Sequence, residues 1–526
     1  MKKGRLALLL HAHLPFVRHP EHGDFLEEDW LFEAIAETYV PLLMRFERLA
    51  EEGVPFRLTM SISPPLAAML EDELLQARAV RYLQRALTLA ENEVARSRGE
   101  ERIRAVAAFY HARFREVLAY FEAKKRRLIP VFRALQDAGF LEIATCAATH
   151  GFLPLLAVHP PAVRAQILVA RDEHTRWFGR LPAGIWLPEC AYFPGLENFL
   201  HEAGLRWFVV DAHGLMLGRP RPQNGIYAPC WTPGGPAVFA RDPDSARRVW
   251  SREDGYPGDP AYRDFYRDIG YDLPLPYVQP FLGKDGQRKF TGLKYHRITG
   301  ATEQKELYHR PWAEAAAAAH AEDFMRSRAA QFGPLGEALP VDPVLLCPYD
   351  AELFGHWWFE GPEFLEAFLR LAATGQEVFT LTTPSEYLAG QAALQVVEPS
   401  ASSWGDEGYW SVWLDPSNTW IYPPLHEAAR RMTQAAQKHR QTRAAWKLST
   451  LQQMARELML AQSSDWAFLM RSGTAKEYAT ARTNAHLERF RRLASTLERG
   501  RPDKDFLATC RERDNIFPDL AWRYYL

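Results

Sequence analysis

Cysteine is scarce: five residues in a chain of 526, Cys146, Cys190, Cys230, Cys347 and Cys510, with no Cys-x-x-Cys pair among them. This excludes a disulfide-stapled scaffold and a paired-thiolate zinc site, and the odd, scattered set fits a reducing, cytoplasmic setting. A surplus of one charge is also missing, since 63 basic residues face 65 acidic ones for a net charge of −2. There is no basic field for nucleic acid or for an anionic membrane surface. No apolar run is long enough to span a bilayer. Lys2, Lys3 and Arg5 resemble the start of a secretion signal, but the apolar run over residues 6–10 stops at His11, too short for the hydrophobic part of one. No internal repeat is found. What is abundant is apolar and aromatic: 47% hydrophobic residues support a sizeable core and two to four domains. The 16 Trp and 20 Tyr suit the apolar faces of a neutral sugar partner, although most aromatics in any protein are core.

Two stretches share one design. Residues 184–192 read Gly-Ile-Trp-Leu-Pro-Glu-Cys-Ala-Tyr, an apolar run that stops at a Pro and delivers a carboxylate, Glu189. Residues 344–347 are a short apolar run followed by Pro348-Tyr349-Asp350-Ala351-Glu352-Leu353-Phe354-Gly355-His356-Trp357-Trp358. Strands of parallel α/β domains are buried on both faces, and in barrels their carboxyl-terminal ends carry the chemistry. Two such carboxylates, 350 − 189 = 161 residues apart, are the pair that glycosidic-bond chemistry uses, one as nucleophile and one as proton donor. Glu352 rivals Asp350, because two residues further along a strand it would face the same side, and spacing leaves that choice open.

Imidazoles follow the same pattern. A strand over residues 5–10 ends in His11-Ala12-His13-Leu14-Pro15-Phe16, and one over residues 141–148 ends in Thr149-His150-Gly151. A His-x-His pair serves as a metal half-site, as donors to sugar hydroxyls, or as polar capping residues. With an added Asp, His11, His13 and His150 could hold Zn²⁺ in a metal-dependent hydrolase, which stays open on spacing alone. A glycan-binding protein with a dead site is a further reading, and the presence of both carboxylates argues against it.

Taken in order, seven strand candidates alternate with helices: residues 5–10, 56–62, 141–148, the run from Gly184, residues 205–210, 344–347 and 378–381. That pattern predicts a parallel α/β barrel. Residues 66–135 read as a helical excursion. Residues 219–259, rich in Pro, Gly, Arg and aromatics, read as an irregular insert whose tip is Trp231-Thr232-Pro233-Gly234-Gly235-Pro236. Residues 260–332 read as mixed strand and helix. Near Glu398 the composition changes to a Trp-dense loop, and residues 425–500 are continuously helical. The expected division is a barrel in two parts, 1–188 and 260–397, around a small insert at 189–259, followed by a C-terminal helical domain at 398–526.

The stretches His11 to Phe16, Thr149-His150-Gly151, Trp186 to Tyr192, Tyr349 to Trp357 and Trp404 to Trp413 resemble the five ordered motifs of glycoside hydrolase family 57. Within that family the resemblance is greatest to its 1,4-α-glucan branching enzymes. It implies an incomplete (β/α)7 barrel with a small inserted domain and a C-terminal helical domain. It implies Glu189 as the nucleophile that forms a glucosyl-enzyme and Asp350 as general acid and then base. His11, His13 and His150 would line the sugar subsite before the cleaved bond. Trp30, Trp404 and Trp413 would be platforms for the glucan chain, with Trp231, Tyr271 and Trp357 as further contacts. Tyr271 stands where such enzymes carry Trp, and Trp231 is the nearest aromatic to the position of a site-covering Tyr. The implied reaction cuts an α-1,4 bond and passes the fragment to a 6-hydroxyl by a retaining double displacement, with no metal or organic cofactor. An α-amylase or 4-α-glucanotransferase on the same residues is the alternative. The implied partner is a neutral storage α-glucan, not nucleic acid or a membrane, and the oligomeric state is left open.

Overall fold

All seven apolar runs become strands of one curled sheet in the computed structural model, which describes residues 3–251, 253–283, 286–391 and 393–526; Lys2 lies outside them. The strands are β1 (Gly4–Ala12), β2 (Leu58–Ile62), β3 (Leu141–Cys146), β4 (Gly184–Trp186), β5 (Trp207–Val210), β6 (Cys230–Trp231), β7 (Ala237–Ala240), β8 (Val344–Asp350) and β9 (Phe379–Leu381). Their order is β6-β7-β5-β4-β3-β2-β1-β8, with β9 beside the first residues of β1. Among the described strands only β6 runs antiparallel. The edges meet where Arg241, just past β7, bridges Leu346 of β8, and the Asp242 N–H donates to the Leu346 carbonyl at 2.9 Å. Seven parallel strands therefore close through a short contact, as an incomplete (β/α)7 barrel does.

Side-chain parity separates the two faces. Leu6, Leu8 and Leu10 of β1 pack outward under the helices, while Ala7 and Leu9 join Ala144, Cys146, Trp186, Trp207, Val209, Phe239 and Leu346 inside the barrel. Both sets are buried, which is why these strands read as unbroken apolar runs.

Two differences from expectation have physical causes. β5 and β7 lie within residues 189–259, so much of the stretch read as an insert belongs to the barrel sheet. β7 is only four residues long and is preceded by Pro-Gly-Gly-Pro, which hid it. Residues 260–300 contain no strand among those described; they hold short helical turns, and the long helix Arg310–Ala338 follows.

At the chain's end, helices Tyr422–Lys438, Ala445–Ala461, Ser464–Ser472, Lys476–Arg499 and Lys504–Arg513 form a helical domain. It sits on the carboxyl-terminal end of the barrel: Gly151 bridges Ser463, and the Ser464 N–H donates to the His150 carbonyl at 3.0 Å. Among the described residues no helix is long and apolar enough to cross a membrane.

Gly184 is where the barrel interior is tightest. A Cβ there would fall 1.9 Å from Trp207, whose buried indole N–H donates to Glu142 at 2.9 Å. Gly184→Ala should therefore cost about 1–3 kcal/mol through overpacking. The measurement is the urea unfolding midpoint, and an unchanged midpoint would show that the Trp207 ring yields freely.

Candidate active site

The alternation that fills the barrel also furnishes its mouth. Continuing the inward rows Ala7-Leu9, Thr59, Val344-Leu346 and Ala237-Phe239 to the strand ends brings in His11, Ser61, Asp350 and Arg241. His11 and Asp350 are direct neighbours across the β1/β8 ladder, and His11 and Ser61 across β1/β2.

Glu189 arrives differently. After β4 the chain turns at Pro188 into left-handed backbone, with φ 62° and ψ 24° at Glu189 and φ 52° at Cys190. His150 shares this conformation at φ 56°. Such non-glycine conformations cost on the order of 1–3 kcal/mol each and concentrate at functional sites. The Glu189 carbonyl accepts the Trp404 backbone N–H at 3.0 Å, and its carboxylate accepts the Trp404 indole N–H at 2.8 Å and the Ser464 hydroxyl at 3.3 Å. Burial pushes its pKa up to about 7; the Trp404 hydrogen bond opposes that shift, and the charges of Asp465 and Asp350 add to it.

Asp350 and Glu352 stand differently because of where the strand ends. β8 stops at Asp350, and Ala351–Leu353 is a 3-10 turn, so Glu352 does not share the strand's alternation. Glu352 is held by the His13 backbone N–H at 3.2 Å and by the Tyr39 hydroxyl. Burial pushes it up to about 7. Tyr39 comes from a π-helical turn, Ile35–Tyr39, of the kind often found at functional sites. The Asp350 carboxylate has no hydrogen-bond partner among the described residues. Burial, and then the Glu352 charge, raise it well above the usual carboxylate range, against the pull of Arg241.

The three predicted imidazoles do come together, and the structure adds partners for them. The His11 ring is bonded on both sides, Nδ1 to Ser61 Oγ at 3.2 Å and Nε2 to His150 Nε2 at 3.1 Å. His150 Nδ1 meets Ser464 Oγ at 2.8 Å. His13 is bonded through Nδ1 to Ser63 Oγ at 2.8 Å and through Nε2 to Asp465 at 3.0 Å. Burial holds His11 and His150 well below the ordinary imidazole value, so both are neutral. Burial alone would raise Asp465, yet the His13 charge and hydrogen bond bring it down to about 2.

Sequence reasoning missed Ser61, Ser63, Tyr39, Arg241, Ser464 and Asp465. Ser61 and Ser63 repeat the alternation of His11 and His13 on the neighbouring strand, a legible signal. Ser463-Ser464-Asp465 reads only as a helix start, which it is. His13, His150 and Asp465 bring ligand atoms within 4.8 Å of one another. A metal must lie in the plane of each imidazole that binds it, however, and these two rings are nearly parallel, 11° apart with centroids 3.8 Å apart. The trio of His13, His150 and Asp465 therefore does not fit a zinc ion.

The predicted aromatics divide. Trp404 is in the site. Trp357 is 44% exposed, with its ring 5.9 Å from Trp250, and Tyr271 is 49% exposed, edge-on to Phe290. Trp30 is half-buried and perpendicular to Tyr478 at 5.9 Å. Two expectations need correction. Trp413 is 2% exposed and stacked on Phe152 at 4.5 Å, so it has no free face to offer as a platform. Trp231 pairs with Ala237 at the amino end of β7, whereas the site lies at the carboxyl end; it cannot cover Glu189.

Residues 7–398 match the family model described as glycosyl hydrolase family 57, and residues 424–525 match that of the 1,4-alpha-glucan branching enzyme C-terminal region. The 1,4-alpha-glucan branching enzyme of Thermococcus kodakarensis is 35% identical over 98% of this chain and 77% of its own. The crystal structure of the alpha-amylase AmyC of Thermotoga maritima superposes with a TM-score of 0.93 at 42% identity, covering 99% of each chain. The family 57 branching enzyme of Pyrococcus horikoshii superposes at 0.89 with 35% identity, covering 100% of this chain and 97% of that one.

Trp404→Phe should remove the indole donor that holds Glu189 down, so the carboxyl titrates at a higher pH. The ¹³C carboxyl resonance absent from Glu189→Gln would report it, and an unmoved titration would show that the indole hydrogen bond carries no weight.

Proposed function

The chain belongs to glycosyl hydrolase family 57, and from that premise we propose that it is a 1,4-α-glucan branching enzyme. The observation that carries the reading is that the helical region matching branching-enzyme C-termini supplies Ser464, which donates to Glu189, and Asp465, which pairs with His13. That region is part of the site rather than an appendage to it.

The surroundings of the two carboxyls support their roles. Glu189, raised by burial to about 7, accepts from two neutral donors, Trp404 and Ser464, whereas Asp350, which burial and then Glu352 hold well above the usual carboxylate range, has no donor among the described residues. Glu189 is then the carboxylate that attacks the anomeric carbon, while Asp350 protonates the departing glycosidic oxygen. In the second half-reaction Asp350, now ionised, takes the proton of an acceptor 6-hydroxyl as that oxygen displaces Glu189. The two inversions restore the α configuration and leave an α-1,6 branch. No step calls on a metal or an organic cofactor.

His11, His13 and His150 at the mouth, the first and last of them neutral, support a sugar subsite there. His13 is the least buried of the three, with its ring nitrogens engaged by Ser63 and Asp465. Trp404, Trp30, Trp357 and Tyr271 are the ring surfaces for the glucan. The near-neutral charge and the buried, unpaired cysteines support a neutral storage glucan such as glycogen and a cytoplasmic place for the reaction.

The likeness to the Thermotoga maritima α-amylase supports a second reading, hydrolysis on the same residues. The two differ in whether water or a sugar hydroxyl reaches the glucosyl-enzyme, which depends on how well the closed site excludes water. Incubation with linear amylose, scored by proton NMR for α-1,6 linkages and in parallel for reducing ends, separates them. Branching yields new α-1,6 signal with few reducing ends; reducing ends alone would move the protein to the amylase reading. Glu189→Ala and Asp350→Ala should each lower kcat by about 100- to 10,000-fold or more, with circular dichroism unchanged. Near-wild-type turnover in either would end the assignment.

A further inference from the structure

Five side chains form one unbroken hydrogen-bonded chain from the barrel wall to the candidate nucleophile. It runs Ser61 Oγ to His11 Nδ1 (3.2 Å), His11 Nε2 to His150 Nε2 (3.1 Å), His150 Nδ1 to Ser464 Oγ (2.8 Å) and Ser464 Oγ to Glu189 Oε1 (3.3 Å). Ser61 Oγ also lies 3.2 Å from the Thr145 carbonyl, a place for its hydrogen to turn.

A neutral imidazole has one donor and one acceptor nitrogen, and a hydroxyl has one hydrogen. Two consistent arrangements follow. In one, Ser61 donates to the Thr145 carbonyl, His11 carries its hydrogen on Nδ1, His150 carries its on Nε2, Ser464 donates to His150, and Glu189 is protonated and donates to Ser464. In the other, Glu189 is ionised and accepts from Ser464, His150 carries its hydrogen on Nδ1, His11 carries its on Nε2, and Ser61 donates to His11. Because the Trp404 indole donates to Oε2, the Glu189 proton belongs on Oε1 facing Ser464, and every mixed arrangement then sets two lone pairs or two hydrogens against each other in a buried contact, with the desolvation cost of an unpaired polar group. The two arrangements differ by a single proton, that of Glu189, which leaves to solvent. The ring and hydroxyl hydrogens are redistributed, none gained or lost.

We propose that Ser61, His11, His150 and Ser464 form a proton-ordered wire that ties the ionisation of Glu189 to the tautomers of His11 and His150, with Ser464 and the distant Ser61 as positioning residues. This rests on the reading of Glu189 as nucleophile. The wire stabilises the attacking carboxylate through the Ser464 hydroxyl at Oε1. It also presets the hydrogen on each imidazole. Other groups bear on Glu189 and do not replace the wire: the Trp404 indole donates to it, and the charges of Asp465, Asp350 and His13 act on it, with the buried Cys146 and Cys190 thiols alongside. His13 and Asp465, which also face His150, form a separate pair through His13 Nε2.

The test is ¹⁵N NMR of the full chain labelled at histidine, recorded across the acid limb of kcat/KM. In the wild type His150 should pass from an Nε2–H to an Nδ1–H tautomer with the same midpoint as the limb, and His11 the reverse. In Glu189→Ala, where Ser464 has no carboxylate to serve, His150 should stay Nε2–H throughout. Ser464→Ala, and Ser61→Ala four hydrogen bonds from Glu189, should move the acid limb to higher pH, lowering kcat/KM about tenfold on that limb for each unit moved. Ser464→Thr, which keeps the hydroxyl, should restore it. A His150 tautomer that stays fixed while the limb titrates overturns the wire, as does an unmoved limb in both Ser→Ala variants. If Glu189→Ala itself retains turnover, the nucleophile reading fails instead.

Discussion

A parallel strand enclosed by helices outside and by its neighbours inside has one place for polar chemistry, the last inward position at its carboxyl-terminal end. The whole site follows from that constraint. Ala7 and Leu9 must be small or apolar to fill the barrel, and the next inward residue, His11, can be polar because the barrel opens there. The same step from filler to functional group gives Ser61, Arg241 and Asp350. Because the strands are held in register by backbone hydrogen bonds, these four groups have little freedom to drift apart. Glu189 is the exception. It is delivered by a turn in left-handed backbone, and that conformation is fastened by the backbone and the indole of Trp404 together.

Burial then sets the electrostatics. Several carboxyls and imidazoles share a small volume of low dielectric, and each is moved according to its company. Asp465 has a hydrogen-bonded imidazole partner and is held near 2, whereas Glu189, buried and near two other carboxylates, is raised to about 7. Asp350 is held well above the usual carboxylate range by burial first and then by the Glu352 charge. Difference in environment rather than in residue type is how two carboxyls can take opposite roles. His11 and His150 are driven the other way, to neutrality, and neutral imidazoles can accept as well as donate. That is the condition for ordering hydrogens along a chain of side chains.

The C-terminal helices complete this arrangement rather than surround it. Helix Ser464–Ser472 is oriented with its amino end at the barrel mouth, where its Ser463 backbone bridges Gly151 and its first residues reach His150, His13 and Glu189. The Trp404 loop approaches from the other side, and Trp413, buried against Phe152, anchors it. A Trp-dense stretch therefore has two duties, one ring touching the carboxylate and another packed as support.

Much of this was legible in the chain. Apolar runs ending in a polar residue located seven strands, both carboxylates and all three histidines, because period-two alternation and strand-end chemistry are local properties. The excess of aromatics and the balanced charge pointed to a neutral sugar partner for the same reason. The four-residue β7 was hidden by flanking Pro and Gly, since so short a strand exists only by pairing with β5 and touching β8. Ser464 and Asp465 look like any helix start, and only docking onto His150 and His13 makes them part of the site. Whether a Trp is a platform or a core residue, as for Trp404 against Trp413, depends on what lies over its face, and Trp231 belongs to the far end of the barrel through strand direction alone. The sequence by itself determined which groups stand at strand ends. Tertiary structure decided which of them meet, because contact and burial across hundreds of residues depend on how the sheet curls and closes.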